Sequence, residues 1–250
     1  MSTIDKLIIN SAYQEPTSYW QYDSITEGFN KVSGRRKAGY LVAQPGADPR
    51  KDPGRFVELP LVNRIRPLVK AWRESGYPGV TRVTKDLLDH WNDNDSRTDP
   101  FFWCQHDAIE TLIWLEESPE AKHSGINVPG DGGPFDRICT KLCTGGGKTT
   151  VMAMLIAWQI YNKVVYPQDK RFSKYVFIVA PNVTVKNRLQ VLQTGGDDNY
   201  YAKFNIVSPD KMEKLRQGKV VINNWHALAW DSDEAINRKK GGGQTRCQKQ

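Results

Sequence analysis

The 250-residue sequence has no long apolar run. Its longest, Val151–Trp158, is eight residues, far short of the roughly 18 that a membrane-spanning helix needs. The opening Met1-Ser-Thr-Ile-Asp5 lacks a basic stretch followed by an apolar run, so no secretory leader is read. Cysteine is scarce: four residues, at 104, 139, 143 and 247, with no C-x-x-C pair. The expectation is a reduced, cytoplasmic, metal-free chain without a membrane partner. Cys139 and Cys143 flank Lys141 on an expected strand, where buried thiols are expected. A zinc site from Cys104, His106, Cys139 and Cys143 is the weaker alternative. No internal repeat is visible, and no sustained period orders the first fifty residues.

Aromatic residues, by contrast, are plentiful: eight Trp, ten Tyr and eight Phe, enough to bury a core, which argues against whole-chain disorder. The formal net charge is +7, and residues 101–250 carry 20 basic against 15 acidic side chains. That modest excess fits a nucleic-acid partner.

The Pro- and Gly-rich stretch 44–54 reads as an exposed loop. Leu61, Val62, Ile65, Leu68, Val69 and Trp72 then recur at helical spacing, so a helix is expected over 61–74, bent at Pro67. A second, short helix is expected over 81–91. The polar break 92–100 marks the expected boundary between an accessory domain, 1–97, of mixed helical and irregular structure, and an α/β domain, 98–236. In the latter the expected order is helix 100–117, a Gly/Pro loop 123–134, strand 137–143, a glycine run and helix 148–161. Strand 175–180, helix 183–192 and strands 204–207 and 219–222 complete it. Strands alternating with helices imply a parallel sheet with crossover helices. Residues 237–250 read as a polar tail.

The segment Leu142-Cys-Thr-Gly-Gly-Gly-Lys-Thr149 is the strongest chemical signal. A strand running into glycines and opening a helix at Lys-Thr is the pattern of a phosphate-binding loop. Gly145, Gly146 and Gly147, after Thr144, let backbone N–H groups face an anion, and the helix start adds partial positive charge. Lys148 can reach the outer phosphates, and the Thr149 hydroxyl can meet the Mg²⁺ that accompanies ATP. Leu142 stands where the strict G-x-x-x-x-G-K-[ST] pattern has glycine; the plain alternative is a glycine turn before a chance Lys-Thr.

T-G-G-G-K-T resembles the T-G-x-G-K-T loop of superfamily 2 helicases and translocases, which tolerate a non-glycine at the first position. Phe101–Leu115 resembles the helix these motors place before the loop, with Gln105 where they carry an adenine-reading glutamine. Val179–Leu189 and Val220–Leu228 resemble two later motifs that lie along nucleic acid. The resemblance is nearest to the Res subunits of type III restriction enzymes, and N-S-A-Y-Q-E-P-T, G-R-F-V-E-L-P-L-V-N and G-Y-P-G-V-T near the front are similar to that group too. It covers about residues 8–236. It implies an incomplete RecA-like P-loop domain, ATP and Mg²⁺ as ligands, double-stranded DNA as partner and a methyltransferase subunit as a further one. Nucleic-acid contacts then fall to Pro181, Asn182, Lys186, Arg188, Asn224 and His226. Each residue also has a plain reading: Gln105 as a helix-start cap, Lys186 and Arg188 as solvated charges, Asn224 and His226 as turn residues. Trp103, Trp114 and Trp158 read as core rather than as a stacking platform.

Hydrolysis in these motors needs a D-E-x-H carboxylate pair, one acid holding Mg²⁺ and the other serving the attacking water. The nearest lookalike, Asp233-Glu-Ala-Ile236, follows His226 too soon, lacks a preceding β-branched run and has isoleucine in place of histidine. No second RecA-like domain and no endonuclease signature is seen. The expectation is therefore the ATP- and DNA-binding front part of a larger motor, with no catalytic residue assigned in this chain. A non-catalytic nucleotide- or DNA-binding subunit is the alternative, and a small-molecule kinase a third reading.

Overall fold

A computed structural model describes residues 6–227 apart from 24, 44, 47–53, 96, 131 and 136, with the backbone alone at 122, 123 and 227. Asp233–Ile236, the tail 237–250 and Cys247 lie outside the described residues. The described residues form a mixed α/β structure with three two-stranded sheets, one of them parallel.

The described part of the first fifty residues corrects the expectation of irregular chain there. Strands β1 (Ser18–Asp23) and β2 (Gly28–Ser33) form an antiparallel hairpin, and β3 (Gly39–Val42) pairs antiparallel with β4 (Arg55–Glu58). The first turn is nucleated locally. The Asp23 carboxylate accepts from the Ile25 N–H and the Thr26 hydroxyl, both at 2.9 Å, an Asx-type turn.

Helix α1 (Pro60–Glu74) starts with proline at its first position, where no N–H is needed. Ile65, Val69 and Trp72 form its buried stripe, while Pro67 sits on the exposed side. Thr81 caps α2 (Arg82–Asn92) by accepting from the Thr84 N–H at 3.0 Å. The helix expected from residue 100 begins at Trp103, because Phe102 is still extended; α3 spans Trp103–Glu117, and the short α4 (Pro119–His123) follows. Helix α5 (Lys148–Val165) runs one turn beyond its expected end. As its all-round apolarity requires, it is the centre of the core, touching α2, α3 and the short helices α7 (Tyr200–Lys203) and α8 (Met212–Leu215).

Strand β5 (Tyr175–Ala180) pairs in parallel with β6 (Lys219–Asn224), from Tyr175 opposite Lys219 to Ala180 opposite Asn224. Ile178, Ala180, Val220 and Ile222 face the core, while Tyr175, Phe177 and Val179 alternate outward and are exposed. Helix α6 (Val183–Arg188) leaves β5 and runs into a 3₁₀ turn, Leu189–Leu192.

Two expected strands are absent. Residues 137–143 form none: they include only two large aliphatic side chains, and Ile138 is half exposed. Residues 204–207 form none either. Asn205 has φ +46°, and the carbonyls of 204–206 face side chains instead of a neighbouring strand. Arg97 donates to Phe204 and Asn205 at 3.1 and 3.0 Å, and Trp91 Nε1 donates to Ile206 at 2.9 Å. Segments 1–97 and 98–227 are divided by a polar stretch in sequence, yet the buried side chains of α1 and α2 join those of α3 and α5 in one core.

Beneath that core is a buried polar junction. Glu117 Oε1 accepts from Trp158 Nε1 and the Thr84 hydroxyl, both at 2.6 Å, and Oε2 from the Thr81 N–H at 2.8 Å. Asn162 adds a bond to Thr84 at 2.9 Å. One carboxylate thus fixes α2, α3 and α5 against one another.

Candidate functional site

The glycine run does form a turn that opens α5. Gly145 and Gly147 have φ of +81° and +76°, the left-handed region where a side chain is strained. Gly147 is the residue before the helix, and a Cβ there would also overlap Gln105 Nε2. The Gly146 N–H closes the turn on the Cys143 carbonyl at 3.3 Å. Beyond it, the N–H groups of Gly147, Lys148 and Thr149 have no acceptor among the described residues. Three consecutive donors at the positive end of an 18-residue helix are a fit for a phosphate group.

The side chains around the loop are arranged accordingly. Lys148 is exposed and folds back, its Nζ donating to the Cys143 carbonyl at 2.8 Å. The ammonium therefore sits over the turn, without a carboxylate partner among the described residues. Thr144 is exposed, and Thr149 is half-buried one residue into the helix. Gln105 is buried, and its Oε1 accepts from the Phe102 N–H at 2.8 Å. The cap role is thus made, while the Nε2 end of the same amide lies against Gly147. Cys104 also borders the loop, its Sγ 3.6 Å from the Gly146 carbonyl. Cys139 and Cys143, expected as buried strand thiols, are exposed and lie on no strand.

The second set of expected contacts gathers at the carboxyl ends of β5 and β6, where parallel sheets present ligands. Ala180 and Asn224 are paired across the ladder, so Pro181-Asn182 and Asn224–His226 emerge side by side. Asn182 caps α6, its Oδ1 accepting from the Val185 N–H at 2.8 Å. Lys186 is half-buried, Arg188 is exposed on the same helix, and His226 is exposed in a single 3₁₀ turn, Trp225–Ala227. Asn224 is half-buried at the strand end. Among the described residues, no hydrogen bond or ion pair joins this set to the glycine loop.

Trp114 and Trp158 are core, as expected; Trp103 is half-buried and carries the Arg73 guanidinium 4.5 Å from its ring. The aromatic residues that do gather around open space lie in the two hairpins instead. A cleft of about 650 Å³ is lined by Tyr19, Trp20, Tyr22, Phe29, Phe56 and Arg36, among others. The sequence signal was there: aromatics crowd the first 56 residues beside Arg35-Arg36-Lys37.

Among the described residues no helix is long and apolar enough to cross a membrane. No protein-family model, curated protein or solved structure matches the chain.

Proposed function

We propose that the chain binds ATP with Mg²⁺ at residues 144–149 and is the ATP- and DNA-binding part of an ATP-dependent DNA translocase or helicase of the type III restriction class. The observation that carries this reading is the row of unpartnered N–H groups at Gly147, Lys148 and Thr149, with the Lys148 ammonium folded over the same turn. A triphosphate would replace the Cys143 carbonyl as the partner of Lys148, and the Thr149 hydroxyl would meet the metal. Gln105 would turn the Nε2 side of its amide to adenine while keeping its Oε1 on the Phe102 N–H. Pro181, Asn182, Lys186, Arg188, Asn224 and His226 would follow the backbone of double-stranded DNA, since they share one end of the parallel pair. In this reading the glycine loop is the first part of a RecA-like domain, and a methyltransferase subunit is a further partner.

Titration of a fluorescent ATP analogue with Mg²⁺ tests the reading. Binding is expected in the wild type and should fall at least tenfold in Lys148→Ala, because a charge-assisted phosphate contact is lost. Equal affinity of the two proteins would sink it. The alternative reading is a non-catalytic nucleotide- or DNA-binding subunit that uses the same loop. A DNA-stimulated ATPase in this chain would rule that alternative out.

A further inference from the structure

The two hairpins carry a feature that the nucleotide site does not use. Tyr19, Trp20 and Tyr22 from β1, Phe29 from β2 and Phe56 from β4 border one open cleft. Tyr22 and Phe29 stack edge to face with centroids 5.3 Å apart, and Phe29 and Phe56 are 46% and 40% exposed. Aromatic rings are ordinarily withdrawn from water, so several partly exposed rings around one space of about 650 Å³ mark a candidate binding cleft.

Charge says what kind. Arg36 belongs to the cleft, its guanidinium 5.6 Å from the centre of the Phe56 ring. Arg36 and Lys37 also line a second cleft of about 340 Å³, together with Arg35, Arg66, Lys70 and Glu15. Three of these cations are already engaged: Arg35 with Asp107 and Glu15, Lys37 with Glu58, Lys70 with Glu15. Arg36 and Arg66 have no carboxylate within ion-pair distance among the described residues. Arg66 is held in place, since its Nη1 donates to the Arg36 carbonyl at 3.0 Å, and its Nε is buried without a partner. The result is a cleft of ring faces that continues, through Arg36, into a cleft where Arg36 and Arg66 make no direct ion pair among the described residues, with Glu15 and Asp107 acting on Arg66 only from a distance.

We infer that this groove binds a single-stranded nucleic acid, with bases against the Tyr22, Phe29 and Phe56 rings and phosphates at Arg36 and Arg66. A duplex hides its base faces, so it could use the cations and not the rings. An apolar peptide would use the rings and leave the guanidinium groups unmatched. Single strands satisfy both, stacking bases while phosphates track the basic wall. The inference goes beyond the glycine loop and does not depend on ATP binding there.

The test uses the full chain and a fluorescein-labelled 12-mer of thymidylate, read by anisotropy across a salt series. Two phosphate contacts predict a slope of log affinity against log salt of about −1.4, at roughly −0.7 per contact for single strands. Arg36→Gln should bring that slope to about −0.7. Phe29→Ala combined with Phe56→Ala should weaken binding at least about tenfold, the scale of one lost base stack. Lys148→Ala should leave it unchanged, so failure of the ATP site and failure of the groove are separable. Unchanged affinity in the double-phenylalanine variant overturns the inference, as does equal displacement by inorganic polyphosphate or an equal loss of duplex binding in that variant. A second readout does not depend on variants folding. A 5-iodouracil 12-mer should crosslink to peptides within 18–42 or 54–58, and crosslinks confined to 181–188 or 224–226 would overturn the groove while leaving the motor reading intact.

Discussion

His106 sits at the start of α3 with only 5% of its surface exposed, edge to face with Phe101 at 5.8 Å. Burial first, then the charges of Arg97 and Arg73, holds its imidazole down to about 4. The histidine is therefore neutral in the fold and protonates more readily once the chain unfolds. Stability from this residue is complete above about pH 6.5 and is lost as the pH falls from there toward 4. Between pH 7 and pH 4.5 the loss should be roughly 2–3 kcal/mol by linkage. Urea unfolding of wild type and His106→Gln at several pH values checks it, because titrations shared by both proteins cancel. Parallel stability curves would mean that the imidazole carries no such linkage. His106 also shows what sequence reading misses at this scale. Beside Cys104 it looked like a metal ligand candidate, and only the packing of Phe101 and two guanidinium groups around it gives it this different character.

At the scale of elements, the Glu117 junction is where helix packing is most exposed to a single change. Glu117→Ala would leave the donors of Trp158, Thr84 and Thr81 N–H without their acceptor in a dry site. The expected loss is about 3–5 kcal/mol, the cost of removing one member of a buried charged network. At 2–4 °C per kcal/mol for a chain near this size, the melting temperature should drop by roughly 10 °C. Glu116→Ala, one position away and half-buried, should change it by no more than a few degrees. Equal effects in differential scanning calorimetry would show that the junction is not what holds these helices. The helices themselves were legible because burial repeats every third or fourth residue, as in Ile65, Val69 and Trp72. The hairpins were not, because Ser18–Asp23 and Gly28–Ser33 show no clean alternation and owe their pairing to partners.

For the molecule as a whole, the open question of cohesion is how the hairpins stay on the helical body. Arg35, between β2 and β3, makes a two-pronged contact with Asp107 on α3, at 3.2 and 2.5 Å. The Trp103 N–H adds a bond to the Ala12 carbonyl at 2.8 Å, and Arg66 on α1 holds the Arg36 carbonyl. The Arg35–Asp107 pair is about one-fifth exposed on both sides, so its contribution is set near 1 kcal/mol after screening. Asp107→Asn should accordingly speed amide exchange of residues 18–33 about fivefold, while the buried turns of α3 and α5 exchange as before. Uniform acceleration across the chain would indicate one cooperative unit, and no change would show the pair to be dispensable. The same contact sets the position of the aromatic groove relative to α3, the helix that carries Gln105.

Local chemistry alone determined a good deal of this protein. The apolar period wrote α1, α2, α3 and α5 into the sequence; runs of Val and Ile did the same for β5 and β6. Gly145–Lys148 announced a turn at a helix start, because positive φ and a missing side chain are properties of single residues. Tertiary structure decided what depends on partners. Residues 204–207 have strand-like composition, but a strand exists only with a neighbour, and their carbonyls were taken by Arg97, His90 and Trp91. The two hairpins, the gathering of Tyr22, Phe29, Phe56 and Arg36 around one cleft, and the place of Gln105 against Gly147 likewise arise from contacts between residues far apart in the chain. Such contacts are fixed by which surfaces the core leaves adjacent, and no stretch of sequence carries that information by itself.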